Sequence, residues 1–557
     1  GCVLYEMLVG EQPFTGPTMQ SVIAKRFVQT PADVSALREG ISRTVARAVQ
    51  QALARTPIDR FHTGAAFAAA VVEPDRTSAK SAAPAAAEKS IAVLPFASMS
   101  TDPENEFFAD GVTEEILNAL SQITELRVAG RTSSFSFKGK NQDLRQIGEA
   151  LSVRTVLEGS VRRAGNRVRI TAQLIDVTDG YHLWSERYDR EIADVFAVQD
   201  EIAGAIAAKL KTTLAAGTEA RAQRATDNID AYQAYLKGRA LLYRRGSAVL
   251  EGLAQMEKAL ELDPTYALAW AGVADTHSLL GYYGQVAPEV ARTKGGEAVE
   301  KALRYGPDLA EVHTAHGLQA LLYQWDWASA ERSFKRALEI NPGYTQGVAW
   351  YHLFYRAFAC GLWQEALAAL KVEIERDPRS AYLPAVVAIA CAGFSKDREM
   401  LTFVKRAQEL DPDAFLTLWC NQLALSAVND VPAAKAVGER ALGATGRHVF
   451  VVHNLALLLA ANGDTAGATA LYDELSSRGR REYVSPMPLA VIEAALGRKD
   501  DALKHCREAI ATKDPQFIIF ATGWWNVDAL RALPEHRAML EEIGLPSAVL
   551  HKARAPR

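Results

Sequence analysis

Arg167 and Arg169 stand two residues apart in a run that alternates polar and apolar side chains, so a strand places both on one face. With Arg162 and Arg163 across a short turn, that basic face could hold a phosphate or a nucleotide, or could simply be solvated, as such faces usually are. His313 and His316 are spaced so that two imidazoles on one helix face could reach a metal ion, but no third ligand lies near them. Ordinary helix packing is the expectation there, with no metal site. Trp270, Tyr282, Trp325 and Trp350 are candidate anchors for a protein partner, since rigid aromatic side chains contribute much contact area at small entropic cost. Helical proteins also bury such residues between helices, and that alternative stays open for each of the four.

Composition bounds the rest. The chain has 557 residues, enough for several domains, and is 49% hydrophobic and 23% charged, as in a globular protein. Its 66 acidic and 62 basic residues leave a formal charge of −4, so nothing global points to nucleic acid or an anionic membrane. The cysteines at 2, 360, 391, 420 and 506 are scattered and never form a CxxC pair, which fits buried free thiols in a reducing cytoplasm. The longest apolar stretch, Ala65 to Val72, is cut by Glu73-Pro74 and is too short to span a membrane. No signal peptide is evident. The first residue is glycine and opens directly on an apolar helical pattern without a cap, so the natural chain is expected to begin further upstream.

Most of the sequence is organised by a repeat. Ala330, Phe334 and Ala337 share one helix face, and Asn341-Pro342 ends that helix because proline excludes αR from the residue before it. Gly252, Met256, Ala259 and Pro264 stand at the same offsets, as do Ala366, Leu370, Glu373 and Pro378, then Met400, Val404, Ala407 and Pro412. Prolines 307, 342, 378 and 412 are 35, 36 and 34 residues apart. Looser units follow at Ala433, Val437 and Ala441, and at Ala502, Cys506 and Ala509. This pattern resembles the tetratricopeptide repeat, and implies roughly seven or eight helical hairpins over residues 228–545 stacked into one superhelix. The fold class expected is therefore mostly α, an α-helical superhelix that recruits a protein partner by its concave face.

The string GCVLYEMLVGEQPFTGPT opens the chain. Val3, Leu4, Met7 and Leu8 lie at helical spacing, Gly10 supplies a stop, and Pro13-Phe14 begins a turn. Ile41 to Leu53 is an amphipathic helix, followed by Leu53, Pro57, Arg60 and Phe61 in an L-x-x-x-P-x-x-R-F string. Gly10, Pro13 and Phe14 with Pro57 and Arg60 resemble the end of the large lobe of a Ser/Thr protein kinase. The resemblance implies a small helical remnant over residues 1–72. In such kinases the arginine pairs with the glutamate of an upstream Ala-Pro-Glu motif, which this sequence does not contain. A phosphoryl-transfer site needs a glycine-rich cover, a strand lysine and catalytic and metal-binding aspartates. None of G-x-G-x-x-G, V-A-I-K, H-R-D or D-F-G occurs here, so no catalytic residue is named. The chain itself holds no cofactor, and ATP and magnesium are implied for the parent kinase alone.

Residues 73–90 lack large apolar side chains and read as a mobile linker, with Thr77, Ser78 and Ser81 beside Arg76 and Lys80 as possible phosphorylation sites or plain solvated linker. Order resumes at Ile91 with the strand IAVLPF. Asp110-Gly111 is expected to precede a helix whose first turn holds Glu114 and Glu115. Leu126 to Ala129 reads as strand and Leu144 to Ala150 as helix. Arg154 to Arg163 and Arg167 to Asp176 read as strands joined by Ala164-Gly165-Asn166, followed by a strand at Tyr181 to Tyr188 and a helix at Val195 to Leu214. IAVLPF, FFADGVTEEI, VLEGSVRR and LWSERYDRE together resemble the amino-terminal domain related to TolB, which implies an α+β domain over residues 91–214. The whole is read as the regulatory, cytoplasmic end of a bacterial Ser/Thr kinase. The alternative is a non-enzymatic scaffold or sensor, the same half as found in cyclase- or transcription-regulator-type signalling proteins.

Limited proteolysis checks this division. Cleavage within residues 73–90 is expected first, then loss of residues 1–72, with the repeats persisting. Protection of residues 1–72 equal to that of the repeats would contradict it.

Overall fold

The computed structural model describes residues 1–15, 22, 25, 31, 34–38, 41, 43–53, 61, 63, 67–68, 71, 89–100, 103–121, 123, 126–140, 142–210, 226, 228–246, 248–393, 397–522 and 528–545. The chain divides into two compact units, Gly1–Ala87 and Glu88–Arg557.

In the first unit, α1 (Cys2–Val9) ends at Gly10, whose φ of 85° closes the helix with a bond from its N–H to the Glu6 carbonyl. Helices α2 (Val34–Leu37) and α3 (Arg43–Ala52) complete a small core of Tyr5, Val34, Ala46 and Val49, with Leu4 and Leu8 packed against it. Val3 and Met7 are exposed, so only half of the apolar stripe expected on α1 is covered here. The linker up to 88, with Thr77, Ser78 and Ser81, lies outside the described residues.

The second unit begins with a sheet. Strand β1 (Ser90–Val93) starts one residue earlier than expected, because the Ser90 carbonyl accepts from the Thr155 hydroxyl and Ser90 Oγ accepts from Arg154 N–H. After β2 (Ala97–Ser98), α4 (Pro103–Ser121) runs straight through Asp110-Gly111. Those residues therefore do not precede a helix. Gly111 lies inside one, where a Cβ would collide with Leu236 and hold the neighbouring helix away. Next come β3 (Arg127–Val128), α5 (Arg131–Phe135), α6 (Leu144–Leu151), β4 (Thr155–Ala164), β5 (Arg167–Asp176), β6 (His182–Glu191) and α7 (Val195–Lys209). The strand order is β3-β1-β4-β5-β6, with β2 also on β4; β1, β2 and β3 run parallel to their neighbours, and β4, β5 and β6 are antiparallel. Ala164 pairs with Arg167, so the hairpin turn is Gly165-Asn166, one residue tighter than expected, with Gly165 at φ 59°. One face of the sheet carries Val168, Ile170, Ala172 and Leu174 into a core with α4 and α7. A smaller core lies on the other face under α6.

The helical array follows. Its successive hairpins pair α8 (Ile229–Arg244) with α9 (Ala248–Leu262), α10 (Ala267–Tyr282) with α11 (Pro288–Tyr305), and α12 (Ala310–Gln319) with α13 (Trp327–Ile340). They continue with α14 (Thr345–Trp350) and α15 (Trp363–Arg376), α16 (Tyr382–Gly393) and α17 (Asp397–Leu410), α18 (Phe415–Ala427) and α19 (Val431–Ala444), α20 (Val449–Ala461) and α21 (Thr465–Arg478), and α22 (Pro486–Ala495) and α23 (Lys499–Thr512). Helices α24 (Pro515–Thr522), α25 (Asp528–Arg531) and α26 (Pro534–Glu542) close the end. The fold is a tetratricopeptide-like superhelix with a smaller sheet region before it.

The repeat residues explain the stacking. Ala330, Phe334 and Ala337 are wholly buried on α13, and Gly252, Met256 and Ala259 fill the same places on α9. Small residues let two helices approach while the large one fills the gap between them. On α19 the buried stripe is Ala434, Gly438 and Ala441, shifted from the Ala433, Val437 and Ala441 expected; a Cβ at Gly438 would meet the Gln422 amide, so glycine takes the crossing. Glu373 occupies a small-residue position on α15 and is buried against Arg376 at 2.9 Å. The α12 and α14 helices continue as π-helical turns over Ala320–Gln324 and Tyr351–Ala359.

Phe334→Ala is expected to cost about 3–5 kcal/mol and Ala337→Leu about 1–3 kcal/mol. Denaturant midpoints of the whole chain check both.

Candidate functional site

The turn between α8 and α9 carries two residues at positive φ, Arg245 at 61° and Gly246 at 61°. For arginine this conformation stores strain of about 1–3 kcal/mol, so the surroundings must hold it. They do so by burying the side chain. The guanidinium lies 5.8 Å from the Trp350 ring centre and 5.5 Å from that of Tyr382, while Nη1 is buried without a hydrogen-bond partner among the described residues. No carboxylate lies within salt-bridge distance of Arg245 among those residues. Nearby, Gln346 donates to Asp275 at 3.1 Å, and burial pushes the Asp275 carboxyl well above the usual carboxylate range despite Arg245 and Gln346. A desolvated cation between two aromatic faces, with no ion-pair partner among the described residues, is a place where an anionic group would be stabilised. Sequence reasoning did not single out Arg245. The only available signal was an arginine before glycine at a helix end.

The four candidate aromatics do not form one surface. Trp350 is 1% exposed and Tyr282 is 6% exposed, so for these two the alternative of burial between helices holds and they do not face a partner. The reason is that the superhelix closes on itself. Tyr282 packs against Phe354 at 5.3 Å and Phe450 at 5.6 Å, and its carbonyl accepts from Gln516 Nε2 of α24 at 3.0 Å. Tyr283 meets Phe415 and His448 in the same cluster. Helix α10 is buried from Ala271 to Tyr282, so at this level the concave face is filled by the chain's own side chains. Trp270 is half-buried; its Nε1–H donates to the Pro264 carbonyl at 2.8 Å and the Lys301 ammonium sits 4.0 Å over its ring. Trp325, at φ 58°, is half-buried against Phe517 at 6.3 Å.

Arg167 and Arg169 share one carboxylate, Asp189 of β6, at 2.9 and 2.6 Å. The Arg169 and Arg167 guanidinium groups hold the Asp189 carboxyl below its ordinary value. The pair that could have bound an anion thus already has one within the sheet. His313 Nε2 contacts the Pro307 carbonyl at 2.7 Å and His316 Nδ1 contacts Ser333 Oγ at 2.9 Å, each a local packing contact. In the first unit, Gly10 caps α1, Pro13 is half-buried and Phe14 buried; Pro57 and Arg60 lie outside the described residues. Of the cysteines, Cys391, Cys420 and Cys506 are buried, whereas Cys2 is exposed, contrary to expectation.

A second feature fixes the sheet against the array. Glu114 on α4 is buried between Arg131 of α5, at 2.5 Å, and Arg239 of α8, at 2.7 Å. Burial opposes its charge, but the two arginines prevail and lower its pKa. Arg239 also donates to Tyr235 at 3.1 Å. At a second contact, Asp377 after α15 accepts from Ser133 N–H at 2.6 Å, Arg379 N–H donates to Ser133 Oγ at 2.6 Å, and Gly130 N–H donates to the Arg376 carbonyl at 2.9 Å. One apolar core, from Ile91 and Ile170 to Tyr235, Met256 and Tyr266, runs across the junction.

A family profile described as HilA/YgeH-like transcriptional regulator, second domain, matches residues 87–205. "Putative adenylate cyclase 3" of Rhizobium meliloti is 46% identical over 204 residues, 36% of this chain and 35% of that protein. Serine/threonine-protein kinase PknB of Mycobacterium tuberculosis is 43% identical over 72 residues, 13% of this chain and 12% of that kinase. The chain thus spans about a third of the first relative's length and about an eighth of the second's. Among solved structures, yeast Tom70 aligns with a TM-score of 0.33 and 15% identity, over 56% of this chain and 67% of its own. No helix among the described residues is long and apolar enough to cross a membrane.

Because the folded pKa of Glu114 lies below its unfolded value, its contribution to stability is present above the unfolded value and is lost as pH falls through the folded one. Glu114→Gln is expected to destabilise by about 3–5 kcal/mol near neutrality and to flatten the acid limb of the stability profile. Denaturant midpoints of both proteins across a pH series check this.

Proposed function

We propose that this chain is the regulatory, partner-binding part of a bacterial Ser/Thr protein kinase that acts in the cytoplasm. The helical array holds a protein partner, and a TolB-like domain over residues 91–214 is fixed rigidly to it. The observation that carries this reading is Arg245, a buried guanidinium without a counter-charge between Trp350 and Tyr382 inside the array. An acidic group of the partner would be stabilised there once the aromatic packing around Arg245 opens to admit it. The kinase assignment rests on Gly10, Pro13 and Phe14 in their string and on the 43% identity to a kinase over 72 residues. Holding a substrate near a catalytic lobe raises its effective concentration without any change in the chemistry. ATP and magnesium would belong to the upstream lobe, whose motifs this chain does not contain.

A second reading has its own support. The 46% identity to a cyclase-named protein and the match to a transcriptional-regulator domain favour a sensor or scaffold half that serves different outputs in different proteins.

The natural coding sequence upstream of Gly1 separates the two. The kinase reading expects a glycine-rich loop, a strand lysine, H-R-D and D-F-G, and the encoded full-length protein should transfer phosphate from ATP. Arg245→Met in that protein should reduce phosphorylation of the held partner and leave that of a generic peptide unchanged. A cyclase or DNA-binding domain upstream would replace this reading with the second.

A further inference from the structure

Among the described residues, strand β6 is the last strand of its sheet and pairs only with β5. Ile192 N–H donates to the Asn166 carbonyl just beyond its end, which fixes the phase of the ladder. Residues 184, 186, 188 and 190 therefore exchange hydrogen bonds with β5, and the N–H and C=O groups of Ser185, Arg187, Asp189 and Glu191 point away from it. Of these outward groups, the Asp189 carbonyl accepts from the Arg190 guanidinium at 3.3 Å and the Glu191 carbonyl begins the short 3-10 turn Ile192–Asp194. Most of the strand is exposed, Glu186, Arg187 and Arg190 included.

Edge strands are usually protected from pairing by charge. Here the charges have an order that does the opposite. About Tyr188 the sequence reads Glu186, Arg187, Tyr188, Asp189, Arg190, so each charge has its opposite at the same distance on the other side. A strand antisymmetric in charge is complementary to its own reverse.

We propose that the outer edge of β6 pairs antiparallel with β6 of a second copy of this chain, centred on Tyr188, to make one sheet across the two copies. The outward groups lie on odd-numbered residues, so residues brought opposite each other must sum to an even number. Centring on Tyr188 meets this condition and sets Arg187 opposite Asp189 and Glu186 opposite Arg190, each pair occurring twice by symmetry. The neighbouring registers, centred on Arg187 or Asp189, set like charges against each other. Asp189 already accepts from Arg167 and Arg169, so Arg187 of the other copy extends an existing network. The irregularity opposite Leu174 and Ile175 leaves Leu183 outside the ladder and limits the pairing at that end.

Sedimentation equilibrium of the whole chain over a concentration series tests this. The wild type is expected to dimerise reversibly and more weakly at high salt. Glu186→Arg and Arg190→Glu should each raise the dimer dissociation constant by about tenfold or more, and the double variant should restore it. Ser185→Pro removes an outward N–H but no bond to β5, and should abolish the dimer. Circular dichroism verifies that each variant is folded; should the proline variant not fold, the charge cycle decides alone. A wild type that stays monomeric throughout, a dimer indifferent to Glu186→Arg and Arg190→Glu, or a double variant as weak as its parents would overturn the proposal.

Discussion

One buried carboxylate orients the second unit. Glu114 comes from the helix that packs on the sheet and is held by Arg131 on the sheet side and Arg239 on the first helix of the array. Desolvating three charges is costly, and two cations on one anion do not cancel, so this cluster is not where the net stability comes from. The shared apolar core supplies that. What the cluster supplies is direction, because a salt bridge in low dielectric tolerates little displacement, whereas apolar contacts can slide. Asp377, far along the array, then accepts from Ser133 N–H and fixes the second point needed to define an orientation.

The repeat was legible in the sequence because helix crossings demand small residues at fixed offsets. Ala330, Phe334 and Ala337 announce a buried face whatever surrounds them. The sheet hairpin was legible for a similar reason, since Val168, Ile170, Ala172 and Leu174 alternate with polar residues. Local physics fails where a residue has two uses. Asp110-Gly111 carries the signature of a turn, yet Gly111 is glycine because Leu236 occupies the space of its side chain, and Leu236 is remote in sequence.

The candidate site was less legible still. Trp350 and Tyr282 are aromatic in the way anchors are, and nothing nearby in sequence shows that Phe354, Phe450 and Gln516 converge on Tyr282. Arg167 and Arg169 looked available for a ligand because Asp189 lies on the next strand, whose register only the folded sheet fixes. Arg245 escaped notice because its distinction is a backbone angle and the absence of a partner, and neither is written in residue types.

The closure of the superhelix bears on how the molecule comes apart. In an open solenoid each repeat touches only its neighbours, so ends can fray and the middle can melt independently. Here Gln516 and Phe450 bond and pack against Tyr282, and Lys513 donates to the Gln324 carbonyl, joining the last hairpins to the first ones. Loss of either end removes contacts from the other. The array then unfolds more nearly as one cooperative body than as a chain of independent links, and its assembly must wait for pairings between residues more than two hundred positions apart, a slow and late step.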